Sequence, residues 1–182
     1  VMNVVHGWTE RSDDQRNSNW NQKSWSEING NTWLIVGFGS IGREVAKRAK
    51  PFGVEIVGAR RTPTDDPLAD RMVTMGNLNE VLPSADVVVI ACPLTEDTRG
   101  LVNKNFLDSM GQRSILVNVS RGPVVNTSDL MEVLDSDRDF KAILDVFDTE
   151  PLEAASPLWN HPRVTLTSHI AGAGSGITKR GD

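Results

Sequence analysis

Short runs of apolar residues alternate along this chain with polar loops and with segments of helical character. The runs are rich in Val and Ile, which is typical of parallel strands buried on both faces of a sheet. The predicted strands are Trp33–Val36, Val54–Ala59, Met72–Thr74, Asp86–Ala91, Ser114–Val119, Lys141–Val146 and Val164–Thr167. The predicted helices are Arg43–Lys50, Asn77–Leu82, Asn103–Met110 and Thr127–Leu134. This alternation predicts an α/β fold, a Rossmann-type doubly wound parallel sheet in three α/β/α layers.

A glycine-rich turn connects the first predicted strand to the first predicted helix. Gly37, Gly39 and Gly42 fit the pattern G-x-G-x-x-G in the strand–turn–helix context that a dinucleotide site requires. The first glycine permits a tight turn, the second lets a pyrophosphate approach the backbone, and the third lets helix and strand pack closely. The alternative is an ordinary glycine-rich turn, but with both flanks correct the segment favours nucleotide binding.

A basic pair follows the second predicted strand. Dinucleotide folds often place an acidic residue there to hold the adenosine ribose 2′-hydroxyl, whereas this chain has Arg60 and Arg61. A guanidinium pairs with a 2′-phosphate and cannot accept a hydrogen bond from a hydroxyl. The pair therefore favours NADP(H) over NAD(H), the alternative being two solvated loop arginines.

Three charged or titratable residues stand just past three different strands. Arg121, Glu150 and His169 should converge, because the carboxyl ends of parallel strands share one sheet edge with the glycine turn. Histidine suits proton transfer near neutral pH, a neighbouring carboxylate favours its imidazolium, and a guanidinium binds carboxylate or carbonyl oxygens. Each residue taken alone also has a structural explanation, as a packed histidine, a loop charge or a surface ion pair.

Composition limits the partners of the chain. Its 182 residues suit one domain, and a formal net charge of −5 without a long basic run argues against nucleic acid. We expect no membrane segment, and Cys92 as the only cysteine favours a reducing, cytoplasmic location. No metal site is predicted. The polar N-terminal segment with Trp8, Trp20 and Trp25 is expected to lie at the surface, with its tryptophans packed on the domain or on a partner subunit, and its tryptophan content mildly favours the partner.

Further motifs occur in the order typical of one family. They are Gly37 to Gly42, Cys92-Pro93-Leu94-Thr95 with Thr98-Arg99-Gly100-Leu101, Asn118-Val119-Ser120-Arg121-Gly122, Asp145-Val146-Phe147 through Glu150-Pro151, and Ser168-His169-Ile170-Ala171-Gly172. Together they resemble the cofactor domain of the D-2-hydroxyacid dehydrogenases, from about Trp25 to Gly172. The basic pair resembles the glyoxylate/hydroxypyruvate reductase branch, whose members commonly use NADPH.

The resemblance implies roles for individual residues. Arg121 is expected to bind substrate, His169 to act as general acid/base, and Glu150 to pair with His169. Asp145 is expected to hold the nicotinamide carboxamide, and Cys92 to lie near the adenosine half. The full set of expected cofactor contacts is Gly37, Phe38, Gly39, Ser40, Ile41, Arg60, Arg61, Cys92, Pro93, Thr98, Val119, Ser120, Arg121, Asp145, His169, Ala171 and Gly172.

The expected reaction is reduction of small 2-keto acids, glyoxylate or hydroxypyruvate in type, with NADPH as the hydride source. A formate-type dehydrogenase is disfavoured because its histidine partner is usually not a glutamate. A non-catalytic NADP(H)-binding or redox-sensing module is the alternative from another class. Family resemblance also implies a homodimer.

The chain departs from the family pattern in two respects. Asn126 stands where the family often has an acidic residue, which we interpret as peripheral. Such enzymes also have a substrate-binding domain built from both chain ends, and this chain is expected to lack most of it. The expected parts are an N-terminal helix remnant, linker and possible dimer contact (1–25), the NAD(P)-binding domain (26–172) and the start of a C-terminal return segment (173–182).

Overall fold

A computed structural model describes residues 1–173. The described residues form a seven-stranded, entirely parallel sheet in the order β3-β2-β1-β4-β5-β6-β7. The strands are β1 (Thr32–Val36), β2 (Glu55–Arg60), β3 (Arg71–Thr74), β4 (Val87–Ile90), β5 (Ile115–Asn118), β6 (Lys141–Leu144) and β7 (Val164–Leu166). All seven predicted strands are therefore present, with ends that differ by at most two residues. The return segment expected at 173–182 lies, beyond Ala173, outside the described residues.

Helices cover both faces of this sheet. They are α1 (Met2–Val5), α2 (Trp8–Arg16), α3 (Ser40–Ala49), α4 (Leu78–Val81), α5 (Lys104–Ser109) and α6 (Thr127–Leu134). Short 3₁₀ turns occupy Lys50–Phe52, Met75–Asn77, Leu82–Ser84, Gly122–Val124 and Pro157–Asn160. Helices α4, α5 and α6 pack on one face, whereas α3 and the valines around α1 pack on the other. This confirms the predicted three-layer, Rossmann-type α/β fold.

Burial on both faces explains why the strands have no polar–apolar alternation. On β1, Leu34 and Val36 belong to the core under α4 to α6, while Trp33 and Ile35 belong to the core under α3. Successive side chains of a strand point to opposite faces, so both sets must be apolar when both faces are covered. The apolar runs of the sequence follow directly from this geometry.

The helix boundaries depend on local capping. Helix α3 begins at Ser40, three residues before the predicted start, because Gly39 is extended at the N-cap position and the glycine turn continues into the first helical turn. Asn103 caps α5 as predicted, by accepting a hydrogen bond from the Phe106 N–H. Asn126 caps α6 by accepting from two N–H groups, which gives this family departure a structural role.

The N-terminal segment is only partly what the sequence suggests. Val1, Val4 and Val5 pack against the core under α3. Trp8 is exposed and so does not pack on the domain, because α2 presents no apolar face to the sheet. Trp20 is 89% exposed, more than any other large apolar residue in the described part of the chain.

Candidate active site

The glycine turn lies where the strand order reverses, between β1 and its two neighbours β2 and β4. Gly37 has a φ of +97°, and a Cβ there would come within 2.3 Å of the Cys92 nitrogen. A Cβ at Gly42 would come within 2.4 Å of the Gly37 oxygen. A Cβ at Gly39, by contrast, would meet nothing within 4 Å. Internal packing thus requires Gly37 and Gly42, while the space beside Gly39 is open to a ligand.

The backbone N–H groups of this turn divide into two sets. Those of Gly37 and Phe38 both donate to the Ala59 carbonyl, at 2.9 and 3.0 Å, which ties the turn to β2. Within residues 1–173, those of Gly39, Ser40 and Ile41 donate to no other residue. Together with the positive end of the α3 dipole they form the kind of site that binds phosphate. Phe38 itself is buried in the core, so only its backbone can face a cofactor.

The basic pair stands at the same sheet edge. Arg60 is the last residue of β2, directly after the Ala59 carbonyl that holds the glycine turn. Its Nη1 donates to the Thr64 hydroxyl at 3.4 Å, and Arg61 is exposed at the start of the loop that follows. The basic pair therefore lies at the carboxyl end of β2, next to the residue that holds the glycine turn.

The loop after β4 is held by Thr98. Its hydroxyl donates to the Pro93 carbonyl at 2.7 Å and accepts from the Thr95 N–H at 2.8 Å. Those bonds occupy the Thr98 hydroxyl, so its observed contacts are within the loop. Cys92 is buried beside Gly37, and burial raises the pKa of its thiol.

Asn118, which the sequence shows only as part of a motif, organises the loop after β5. Its Oδ1 accepts from the N–H and the hydroxyl of Ser120, both at 3.1 Å, and its Nδ2 donates to the Arg121 carbonyl at 3.1 Å. The signal that could have indicated this role is a carboxamide, 1% exposed, that ends an otherwise apolar strand. Arg121 is exposed, and its Nη1 donates to the Ser120 carbonyl at 2.6 Å.

Asp145 fixes the loop that carries the histidine. Its buried carboxylate accepts hydrogen bonds from the Thr167 hydroxyl and from the N–H groups of Ile170 and Ala171, at 3.0 and 2.9 Å for the last two. Its carbonyl accepts from the His169 N–H at 2.8 Å. Burial raises the Asp145 pKa, but these hydrogen bonds outweigh it and hold the pKa below its ordinary value. The carboxylate that the resemblance assigns to the carboxamide thus also anchors residues 167–171.

His169 and Glu150 form a direct pair. His169 Nδ1 lies 2.7 Å from Glu150 Oε2, and Glu150 Oε1 accepts from the Phe147 N–H at 3.0 Å. Hydrogen bonding by His169, and then by Phe147, lowers the Glu150 pKa below its usual range. His169 has a φ of +54°, a conformation that the backbone bonds to Asp145 help to maintain. Since Nδ1 faces the carboxylate, Nε2 is the ring nitrogen left to face a ligand.

The loops meet around one crevice. A cavity of about 570 Å³ lies along α3 from Ser40 to Arg48 and extends to Val119 and to the end of the histidine loop, at Ala171 and Gly172. The loops are also joined directly, since the Asp145 N–H donates to the Asn118 carbonyl at 3.0 Å. A second cavity, of about 770 Å³ and mainly apolar, lies beside Glu150. The fold therefore brings the glycine turn, the Arg121 loop and the His169–Glu150 pair to one sheet edge.

Residues 1–173 contain no cluster of His, Cys, Asp or Glu side chains suited to a metal ion. None of the helices in the described part of the chain is long and apolar enough to cross a membrane.

The motif order and this geometry agree with a match to known proteins. The family described as "D-isomer specific 2-hydroxyacid dehydrogenase, NAD binding domain" matches residues 1–171. The chain belongs to this family. Human glyoxylate reductase/hydroxypyruvate reductase is 34% identical over 176 residues, which cover 90% of this chain and 52% of that protein. D-3-phosphoglycerate dehydrogenase of Bacillus subtilis (strain 168) is 35% identical over 153 residues, 83% of this chain and 29% of that protein.

Solved structures show the same domain. An NADPH-dependent glyoxylate/hydroxypyruvate reductase from Sinorhizobium meliloti, in complex with NADP and sulfate, superposes with a TM-score of 0.88 at 26% identity. That alignment covers 98% of this chain and 57% of the other. The chain spans about half the length, or less, of these relatives.

The two kinds of glycine in the turn should respond differently to substitution. We expect Gly37→Ala to lower the free energy of unfolding by about 3 kcal/mol or more, because the methyl group meets the Cys92 backbone at a positive φ. Gly39→Ala, the matched control, should change it by less than about 1 kcal/mol, since its Cβ enters open space. Chemical denaturation of both variants measures the free energy of unfolding. Equal losses in the two variants would contradict the different roles of Gly37 and Gly39.

Glu150 should remain ionised at unusually low pH. Because its folded-state pKa is depressed, it contributes stability that is present above the ordinary glutamate pKa and is lost as pH falls through the folded pKa. Carboxyl-carbon NMR titration should show this low pKa, and His169→Phe should move it back toward the ordinary value. A Glu150 pKa that is unchanged by the substitution would show that the pair does not form in solution.

Proposed function

We propose that this chain is the cofactor-binding half of an NADPH-dependent reductase of small 2-keto acids. The observation that carries the proposal is the His169–Glu150 pair, at 2.7 Å, on the sheet edge where the glycine turn opens. The His169 and Glu150 side chains are 47% and 35% exposed, so both are accessible from solvent. Proton-transfer groups must reach a ligand, which accounts for this exposure.

The residues present fit a dinucleotide. The N–H groups of Gly39, Ser40 and Ile41, which have no partner within residues 1–173, suit the pyrophosphate, and the open space at Gly39 lets it approach. The crevice from Ile41 to Val119 leads from there toward the histidine loop, where the nicotinamide would lie. When bound, NADPH would supply the hydride to the carbonyl carbon of the substrate.

The protein side chains would manage the proton and the substrate charge. His169 would hold a proton at Nε2 and deliver it to the carbonyl oxygen as that oxygen gains negative charge. Glu150, at Nδ1, would orient the ring and stabilise the imidazolium. Arg121, released from the Ser120 carbonyl, would bind the substrate carboxylate through its planar fork. Asp145 and Asn118 would keep the two loops in register.

The substrate class is supported by the relatives. Human and Sinorhizobium proteins of this family are named for glyoxylate and hydroxypyruvate, and the Sinorhizobium enzyme is described as NADPH-dependent. We extend to this chain a small 2-keto acid, NADPH as the preferred cofactor, a homodimeric assembly and a reducing cytoplasmic location. The exposed Trp20 is consistent with a homodimer, and the buried free thiol of Cys92 is consistent with a reducing location.

Removal of the histidine should separate catalysis from cofactor binding. In the full-length gene product, His169→Ala should lower kcat for glyoxylate or hydroxypyruvate reduction by about 10²-fold to 10⁴-fold, the usual contribution of a general acid. The Kd for NADPH should change less than about threefold, since the ring has no charge pairing with the phosphates. Steady-state assays and fluorescence titration measure both.

Ser168→Ala is the matched control, because this exposed neighbour takes no part in the described hydrogen bonds of Glu150, which are with Phe147 and His169. It should retain most of the turnover. Undiminished turnover in His169→Ala would contradict the catalytic assignment. Absence of turnover in the unaltered full-length protein, with NADPH still bound, would instead favour the non-catalytic binding module.

Cofactor preference should depend on the basic pair. Arg60→Asp should raise the Kd for NADPH by at least about tenfold, because it replaces a charge-assisted hydrogen bond with repulsion, and should leave NADH binding within a fewfold. The control is Arg71→Ala, an exposed arginine at the amino end of β3 and so at the opposite sheet edge. An unchanged NADPH/NADH ratio in Arg60→Asp would refute the role of the pair.

A further inference from the structure

The loop between β2 and β3 has two dissimilar halves. Residues 61–65, which carry Arg61, are mostly exposed and follow the last residue of β2. Residues 66–70 are fastened to the body of the domain, and Leu68 and Ala69 pack against the core under α3. Residues 61–65 are therefore held at their two ends, by the end of β2 and by residue 66.

Asp66 is that residue. Its side chain is only 4% exposed and forms an ion pair with the Arg43 guanidinium, whose side chain is 44% exposed. Asp66 Oδ1 also accepts from the Leu68 N–H at 3.1 Å, and the Asp66 carbonyl accepts from the Ala69 N–H at 3.0 Å. A buried carboxylate is costly unless it is paired and hydrogen-bonded, so this arrangement keeps Asp66 at one position.

The partner of Asp66 ties the loop to the cofactor helix. Arg43 lies in the first turn of α3, four residues after Gly39. A second tie runs from the other end of the same helix, where Lys50 Nζ lies 3.0 Å from Asp70 Oδ1. Asp70 Oδ2 accepts from the Ile56 N–H at 2.8 Å, which joins the loop to β2 as well. The fastened half thus follows α3 from its start to its end.

We propose that Asp66 is a specificity-determining positioning residue for the NADP(H) site. Its pairing with Arg43 fixes the far end of residues 61–65, and so holds Arg61 beside Arg60 at the edge where a ribose 2′-phosphate would lie. This inference rests on the proposed NADPH preference. Pairing also neutralises a carboxylate that follows the basic pair by only a few residues, and that would otherwise repel a phosphate.

An anchoring role and a purely electrostatic role for Asp66 predict opposite effects of Asp66→Asn on NADPH binding. If Asp66 acted only through its charge, Asp66→Asn would remove a negative charge and leave the Arg43 guanidinium without it, which would tighten NADPH binding. If Asp66 anchors the loop, the same substitution frees residues 61–65, and binding of the 2′-phosphate must then also order the loop. NADH has no 2′-phosphate to be held there, so its affinity does not depend on that ordering.

The experiment is a fluorescence titration of this chain with NADPH and with NADH. We expect Asp66→Asn to raise the Kd for NADPH by about fivefold or more while the Kd for NADH changes less than about twofold. Arg43→Gln, which removes the other half of the pair, should act in the same direction, and Arg43→Lys should restore most of the preference. Asp65→Asn, an exposed neighbour, is the charge-matched control and should leave NADPH binding unchanged or slightly tighter.

The outcomes separate this inference from the proposal on which it rests. An unaltered chain that binds NADH as well as NADPH would overturn the proposed cofactor preference. A chain that prefers NADPH, but keeps the same preference in Asp66→Asn and Arg43→Gln, would overturn only the role of Asp66. Equal weakening of both cofactors, or tighter NADPH binding in Asp66→Asn, would also overturn it. If Asp66→Asn fails to fold, Arg43→Gln and Arg43→Lys replace it: loss of the NADPH preference in the first with recovery in the second supports the role of the pair, and an unchanged preference in both overturns it.

Discussion

The close approach of the glycine turn to the ends of β2 and β4 is the constraint on which the rest of the site depends. Two N–H groups of the turn converge on the Ala59 carbonyl, and the Gly37 Cα lies against the Cys92 backbone where no side chain fits. This contact fixes the start of α3 at the point where the strand order reverses. The positive end of the helix therefore opens into the crevice between the two halves of the sheet.

On the other side of the crevice, buried polar side chains hold the loops in place through hydrogen bonds, whereas apolar packing does so elsewhere in the domain. Asn118 and Asp145 are 1% and 3% exposed, and each satisfies several backbone or hydroxyl groups of the loop that it serves. A buried polar group is tolerated only when its partners are in place, so each loop is specified narrowly. Arg121 and His169 project from loops organised in this way, and the Asp145 N–H bond to Asn118 couples the two loops.

The electrostatic pattern of the edge is consistent with an anionic ligand and a proton donor. The N–H groups of the glycine turn and the basic pair lie past β1 and β2, whereas a paired histidine and glutamate lie past β6 and β7. Two acidic groups close to these residues, Asp66 and Glu150, are both engaged by cationic or hydrogen-bonding partners. The Asp66 carboxylate is paired with Arg43 and the Glu150 carboxylate with His169.

The sequence by itself determined the seven strands, the parallel doubly wound class and the glycine turn, because these depend on local apolar runs and on glycines at short spacing. It also placed Arg121, Glu150 and His169 on one edge, since parallel strands share a direction. It did not reveal that Trp8 is exposed, that Phe38 and Thr98 serve internal packing and loop bonding, or that Asp66 pairs with Arg43. Those facts depend on which residues meet across distant segments. Only the tertiary structure decided them, because one sequence pattern is compatible with many side-chain partners until the layers are packed.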